Sequence, residues 1–329
     1  MSAPRFDILG IGNAIVDVVA PAADNFLSRH DMHKGAMALV DAAAAETIYA
    51  AMPPGQESSG GSVANTCAVA ALLGSKVAFL GKVADDQLGG VFRHDISQAG
   101  VHFPSPSLVA GAPTARCLIL VTPDGQRTMN TFLGACVAFG EDDVDPALVA
   151  DAGITYLEGY LFDPPAAQAA FRRAAAAAHQ AGRRVALSLS DAFCVNRHRA
   201  AFRDLVANHV DILFANEAEI CSLYEENAFA AAAEQARGQV ALAALTRSEA
   251  GSLILRGSET VEIAAVPTQV VDTTGAGDAY AAGFLHGLTA GRSLPACGQL
   301  GSIAAAEVIS HYGARPLADL RSLVAGVAK

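Results

Sequence analysis

The stretch Val270-Val-Asp-Thr-Thr-Gly-Ala-Gly-Asp-Ala-Tyr280 reads in three parts: an apolar strand running into Asp272, a turn of small residues at Gly275-Ala276-Gly277, and an apolar helix beginning near Asp278. Small residues let a backbone approach a ligand closely. The exposed N–H groups at the helix start, aided by the helix dipole, form an anion site. Asp278 sets a carboxylate beside that site, which needs a reason. One reading is an ordinary carboxylate capping a helix. The other is a general base aimed at a hydroxyl that attacks a phosphoryl group. On either reading the dipole is expected to keep Asp278 ionised.

Outward from this stretch, short apolar runs alternate with alanine-rich helical ones. Strands are expected at Phe6–Gly12, Lys76–Gly81, Ile154–Glu158, Arg184–Leu189 and Val210–Ala215. Helices are expected at Ser62–Leu73, Gln87–Gln98, Ala166–Ala181 and Ala218–Glu225, and again from Ala279 and Leu294. Such alternation implies a doubly wound, mostly parallel α/β sheet covered by helices on both faces. Gly35–Asp41 and Ala115–Phe132 break the rhythm as strands without long helices between them. Thr122-Pro-Asp-Gly-Gln126 reads as a hairpin turn, and these pieces could form a small separate β-sheet. A second hairpin joins Val240–Thr246 to Ser252–Arg256.

The chain has 329 residues, and 52% hydrophobic content supplies a large core and excludes a disordered chain. With 22 Lys+Arg against 33 Asp+Glu the net charge is −11, so no basic footprint for nucleic acid is visible. Any phosphate must be held by local donors. The six cysteines lack CxxC spacing, which argues against a zinc ribbon or thioredoxin motif, and a large chain expected to be poor in disulfides points to a reducing compartment. The N-terminus is interrupted by Arg5, Asp7, Asn13 and Asp17, and is neither a signal peptide nor a span. The uncharged stretch Ser58–Ser75 is too rich in Ser, Asn, Thr and Gly for a membrane helix. A soluble cytoplasmic protein is expected, a monomer or homodimer.

Other nucleotide signatures fail. Gly81-Lys82 is followed by Val83, so there is no P-loop. Gly10-Ile-Gly12 opens like a dinucleotide fingerprint, but Ile15 stands where its third glycine belongs. No protein-kinase motif occurs.

Asp272-Thr-Thr-Gly-Ala-Gly-Asp278 resembles the C-terminal signature of the ribokinase (PfkB) family of carbohydrate and nucleoside kinases, and Gly60-Gly-Ser-Val-Ala-Asn65 its N-terminal one. Gly81-Lys-Val-Ala-Asp85-Asp-Gln-Leu-Gly89 with Ala99-Gly-Val101, Asn216-Glu-Ala-Glu219 and Thr246-Arg-Ser-Glu-Ala-Gly251 are similar to further family motifs, in the same order. Gly12-Asn-Ala-Ile-Val-Asp17, Arg127-Thr-Met-Asn-Thr-Phe-Leu-Gly134, Ser188-Leu-Ser-Asp-Ala-Phe193 and His311-Tyr-Gly-Ala-Arg-Pro316 look most like the adenosine-kinase branch. The resemblance implies one ribokinase-like kinase domain over 1–329. Its β-sheet lid would be built from segments near 13–41 and 113–134, and its reaction would be ATP-dependent phosphorylation of an alcohol. The alternatives are a sugar kinase of the same fold and, more distantly, a non-catalytic nucleoside-binding protein.

Roles follow residue by residue. By the resemblance Asp278 would be the base, and Gly275, Ala276 and Gly277 the anion hole. The Asp17 carboxylate can accept two hydroxyl hydrogen bonds at once, which suits a ribose diol, although a solvated loop aspartate is the plainer reading. Asn13 and Asn65 can both donate to and accept from sugar hydroxyls. Gly60 and Gly61 would let substrate lie on bare backbone. By resemblance, Cys117, Leu133 and Phe193 line a slot for a flat base; periodicity alone makes them core. Asn216, Thr246, Gly251, Thr274, Gly275 and Gly277 match the ATP side. The resemblance also has Asn216 and Glu219 hold Mg²⁺ through water, and a helix capping box fits the same pair. Ser248 stands where the family usually has glycine. Arg127 is read as a phosphate contact or as a surface charge of the lid. A K⁺ held by backbone carbonyls at His311-Tyr312-Gly313 is allowed by the resemblance.

Overall fold

The computed structural model describes residues 3–327. Its strands are β1 (Phe6–Ile11), β2 (Ile15–Pro21), β3 (Met37–Leu39), β4 (Gln56–Gly60), β5 (Val77–Leu80), β6 (Val101–His102) and β7 (Ala115–Val121). They continue with β8 (Arg127–Phe132), β9 (Ala152–Glu158), β10 (Arg184–Ser188), β11 (Ile212–Asn216), β12 (Leu242–Thr246), β13 (Ser252–Arg256) and β14 (Glu259–Ile263). Nine of them form a large sheet in the order β14-β13-β12-β11-β10-β9-β1-β5-β6. It is parallel from β12 to β6, with β13 and β14 added antiparallel.

Each central strand alternates its side chains between two buried faces, which is why its sequence is a continuous apolar run. On one face Leu9, Ile11, Leu157, Leu187 and Leu213 pack with Phe171, Phe202 and Leu205, under the helices Pro165–Gln180 and Ala192–His209. On the other face Ile8, Tyr156, Ala186 and Phe214 pack with Val63, Phe284 and Val308. The helices there are Ser62–Leu73, Ala276–Thr289 and Leu294–Val308. After β1 the chain crosses to β5 on one side and later returns as β9 on the other. Strand order therefore reverses at β1, and a crevice opens beyond its carboxyl end, where Asn13 begins the next segment.

The expected small sheet is present, with five strands in the order β3-β8-β7-β2-β4. The Thr122–Gln126 turn joins β7 to β8, closed by Thr122 N–H donating to the Gln126 carbonyl at 2.9 Å. Its β4 edge was not legible: Gln-Glu-Ser-Ser-Gly carries no apolar alternation and becomes a strand only by pairing with β2. The helices Ala42–Ala51 and Phe229–Gln239 also lay outside the sequence reading.

One expected strand is absent. Val270 and Val271 lie in a loop and are 58% and 40% exposed. Val271 N–H donates to the Ile309 carbonyl at 2.8 Å, beside the end of a helix rather than a strand, so a β-branched pair has no ladder to join. The following helix starts at Ala276, ahead of Asp278, after Gly275 at φ 77°. Among the described residues no helix is long and apolar enough to cross a membrane.

Candidate active site

Strand ends and one helix turn converge beyond β1. Asn13 follows β1 directly and is buried. Asp17 lies two residues into β2, opposite Ser58 of β4 and Cys117 of β7. Gly60 ends β4 and Gly61 caps the helix carrying Ser62 and Asn65. A Cβ on Gly60 would overlap the Asp17 carboxylate, and one on Gly61, at φ 101°, would overlap the Asn13 carbonyl oxygen. These glycines thus make room for two site residues, a use different from the bare substrate floor expected of them.

Asp278 is part-buried in the first turn of its helix. Ser62 Oγ donates to its Oδ1 at 2.6 Å, and Thr66 Oγ1 donates to its carbonyl at 3.1 Å. Burial pushes its carboxyl up to about 6, and the Asp17 charge adds to this; the Ser62 and Asn65 hydrogen bonds and the Arg315 cation oppose it. Desolvation thus raises the carboxyl well above its ordinary range, which the local reading from the helix dipole did not include. The carboxyl still titrates below neutrality, so the ionised form dominates at pH 7.

Gly275 takes the left-handed conformation, where a Cβ would press on Ala314 at 2.7 Å, while nothing lies within 4 Å of the place a Cβ would occupy on Gly277. The open face at Gly277 suits close approach of an anion. Ala276 N–H already donates to the Thr273 carbonyl at 3.2 Å, so it contributes less than expected to an anion hole. Thr274 is turned inward: its N–H and Oγ1 both donate to Asp272 Oδ1, at 3.1 and 2.7 Å.

Two residues of this cluster had no role in the sequence reading. Glu158 ends β9, is 1% exposed, and accepts from Asn13 N–H at 3.2 Å, Asn13 Nδ2 at 2.6 Å and Val63 N–H at 2.9 Å. Burial pushes its carboxyl up to about 7 against those bonds. Its signal was present: a buried apolar strand ending in a carboxylate at a crevice. Arg315 donates to Asn65 and to Ser59.

Arg127 is corrected as a surface charge of the lid. It is 9% exposed and ion-paired to Asp272 Oδ2, with its guanidinium 5.5 Å from the Tyr312 ring centroid. It ties β8 of the small sheet to the signature loop. Cys117 is buried, with Thr131 Oγ1 donating to its Sγ at 3.3 Å; Leu133 is half-buried, whereas Phe193 stands 77% exposed.

On the opposite flank Asn216 ends β11 in register with Thr246 of β12. Asn216 and Glu219 form the anticipated capping box: Glu219 N–H donates to Asn216 Oδ1 at 2.9 Å, and Asn216 N–H to Glu219 Oε2 at 2.9 Å. Burial and the nearby charges of Asp191 and Asp278 push the Glu219 carboxyl up to about 7. Among the described residues no group of three or more His, Cys, Asp or Glu could hold a metal directly. Hard oxygen donors that repel one another fit a divalent cation kept at a distance by its own waters. Ser248 adopts φ 50°, the conformation glycine favours, so the hairpin turn is kept with serine at a strain of about 1–2 kcal/mol. Gly251 is required as glycine, at φ 82° with the Ile263 carbonyl filling its Cβ position.

Asp17, pushed up to about 6 by burial, joins Asp278, Glu158 and Glu219 as a carboxylate held above its usual value. Each binds its proton more tightly in the folded chain than in the unfolded one, so ligand-free stability should fall as pH rises between about 5 and 7.5. Thermal melts across that range check this. A melting temperature that rises instead would mean that these groups are not desolvated in solution.

A doubly wound sheet with a carboxylate, an open helix N-terminus and polar side chains at its switch point is the arrangement in which an α/β fold can bind a phosphorylated ligand. The sequence model of the pfkB family carbohydrate kinases matches residues 38–320, and the chain belongs to that family. It is therefore a sugar or nucleoside kinase, with ATP as co-substrate. The crystal structure of adenosine kinase from Sinorhizobium meliloti is 52% identical, with a TM-score of 0.90 over 98% of this chain and 100% of that one. A probable sugar kinase from Rhizobium etli CFN 42 is 49% identical, with a TM-score of 0.91 over 99% and 100%. Ribokinase of Arabidopsis thaliana is 28% identical over 85% of this chain and 74% of that protein.

Proposed function

We propose that the chain transfers the γ-phosphoryl group of ATP to the 5′-hydroxyl of a nucleoside, with adenosine the preferred acceptor. What carries the reading is the placement of Asp17, Asn13 and Asn65 in one crevice with Asp278, beside a small sheet whose Cys117 lies opposite Asp17. The 52% identity to an adenosine kinase supports it. In this reading Asp17 accepts hydrogen bonds from the ribose diol, and Cys117, Leu133 and Phe193 line the base slot. The small sheet serves as a lid that keeps water from the acceptor's place. Asp278 takes the hydroxyl proton as the new O–P bond forms, since a ribose hydroxyl does not ionise at pH 7 by itself. The N–H groups of Gly275 and Gly277 hold the charge of the transferring group. Asn216 and Glu219 would orient the waters of Mg²⁺, which neutralises phosphate charge when bound.

The test is an acceptor panel with ATP and Mg²⁺. Adenosine should be phosphorylated with kcat/KM at least about tenfold above that for free ribose or fructose. A free sugar ahead by that margin would sink the nucleoside reading and leave the kinase standing. The exposure of Phe193 favours that second reading, a sugar acceptor that needs no ring slot.

A further inference from the structure

Arg315 comes from the loop after the helix Leu294–Val308, yet its guanidinium lies inside the acceptor site. Nε donates to Asn65 Oδ1 at 3.0 Å; Nη2 donates to the Ser59 carbonyl at 2.6 Å and to Ser59 Oγ at 2.9 Å. Nη1 stands 3.9 Å from Asp95 Oδ2, which itself accepts from Ser59 N–H and Oγ. One planar fork thus joins β4 of the small sheet, the helix Gln87–Gln98 and the helix Ser62–Leu73. A guanidinium can hold several acceptors in fixed relative positions; an ammonium cannot.

An amide has one accepting and one donating end. With Oδ1 engaged by Arg315, the Asn65 amino group is the end left for Asp278, whose carboxylate already accepts from Ser62 Oγ one helix turn before Asn65. We propose that Arg315 is a positioning residue for phosphoryl transfer: it fixes the Asn65 amide so that Nδ2 donates to Asp278, and its charge favours the ionised base. The inference rests on the reading of Asp278 as the base.

The Asp17 charge works against ionisation of that carboxylate from β2, and the Arg315 cation opposes it. The Asp278 charge in turn acts on Glu158 and Tyr156 of β9, Tyr160 in the turn beyond β9 and Glu219 of the helix Glu217–Tyr224, favouring the protonated form of each. Arg315 acts on Asp17 as well, and Asp95, Asp17, Cys67 and Asp278 act on Arg315. Removing the guanidinium should therefore raise the Asp278 carboxyl above its present value of about 6.

The experiment is a set of pH profiles of kcat and kcat/KM, with adenosine and MgATP, for the wild type, Arg315→Met, Arg315→Lys and Asp278→Asn. In Arg315→Met the acid limb should move up by about one pH unit, making the deficit about tenfold larger below the limb than on the plateau. Arg315→Lys keeps the charge and loses the fork, so its limb should stay near the wild-type position while plateau kcat falls about three- to tenfold. A loss of equal size at every pH in Arg315→Met, or an unmoved limb, would overturn the proposal. So would full plateau kcat in Arg315→Lys, and that variant decides alone if Arg315→Met does not fold by circular dichroism. An Asp278→Asn enzyme that keeps more than about a third of wild-type plateau kcat sinks the assignment of the base itself, a result distinct from an unmoved limb in Arg315→Met.

Discussion

Asp278→Asn is expected to lower kcat by about 10²–10⁴-fold, the usual range for a positioned base, with ATP affinity nearly unchanged. Asparagine keeps the size of the side chain and can still accept from Ser62 Oγ, which donates to Asp278 at 2.6 Å in the wild type. It cannot take up the proton that must leave the acceptor hydroxyl. The loss therefore falls on the chemical step and not on binding. Removing one negative charge beside the phosphates could tighten ATP slightly, which isothermal titration would read. The wild type should lose activity as pH drops through about 6, where the Asp278 carboxyl takes up a proton, and keep it above. Because Asp17 is also pushed up to about 6, the observed limb belongs to the pair. Retention of more than about a third of wild-type kcat in Asp278→Asn would leave the capping role as the better account of this residue.

The second large effect is at Asp17. Asp17→Asn should lower kcat/KM for adenosine by about 10²–10³-fold, the worth of two hydrogen bonds to a charged acceptor. The substitution is nearly isosteric, so the notch at Gly60 that accommodates the carboxylate stays filled. Most of the loss should appear in KM, since contacts to the diol form in the ground state and persist in the transition state. Pairing the variant with 2′-deoxyadenosine makes the test specific. Wild type should discriminate strongly against the deoxy acceptor, and Asp17→Asn should lose most of that discrimination. If the variant discriminates as well as wild type, Asp17 does not read the diol.

Asp278 and its turn were legible in the sequence because small residues, a carboxylate and an apolar helix are adjacent there. The Asn216–Glu219 capping box was legible for the same reason: its partners are three residues apart. The Ser62–Leu73 helix falls where its Gly-Gly start and apolar run put it. Glu158 ended a strand that was legible, but its contacts and those of Arg315 were not, because their partners lie far along the chain. Glu158 meets Asn13 across 145 positions, and Arg315 meets Asn65 across 250. Arg127 was misread for a related reason. A lone arginine near a turn looks solvated until Asp272 is brought beside it.

Local pattern alone determined the alternation of strand and helix, the turn at Gly275–Gly277 and the hairpin of the small sheet, because each rests on periodicity or backbone freedom within a few residues. Only the tertiary structure decided that Val270 and Val271 join no sheet and that polar β4 becomes a strand. It alone decided that Gly60 and Gly61 serve Asp17 and Asn13. It also set the ionisation of the site, since desolvation depends on what surrounds a carboxylate in space. Four of them, Asp17, Glu158, Glu219 and Asp278, are drawn from separate elements into one crevice.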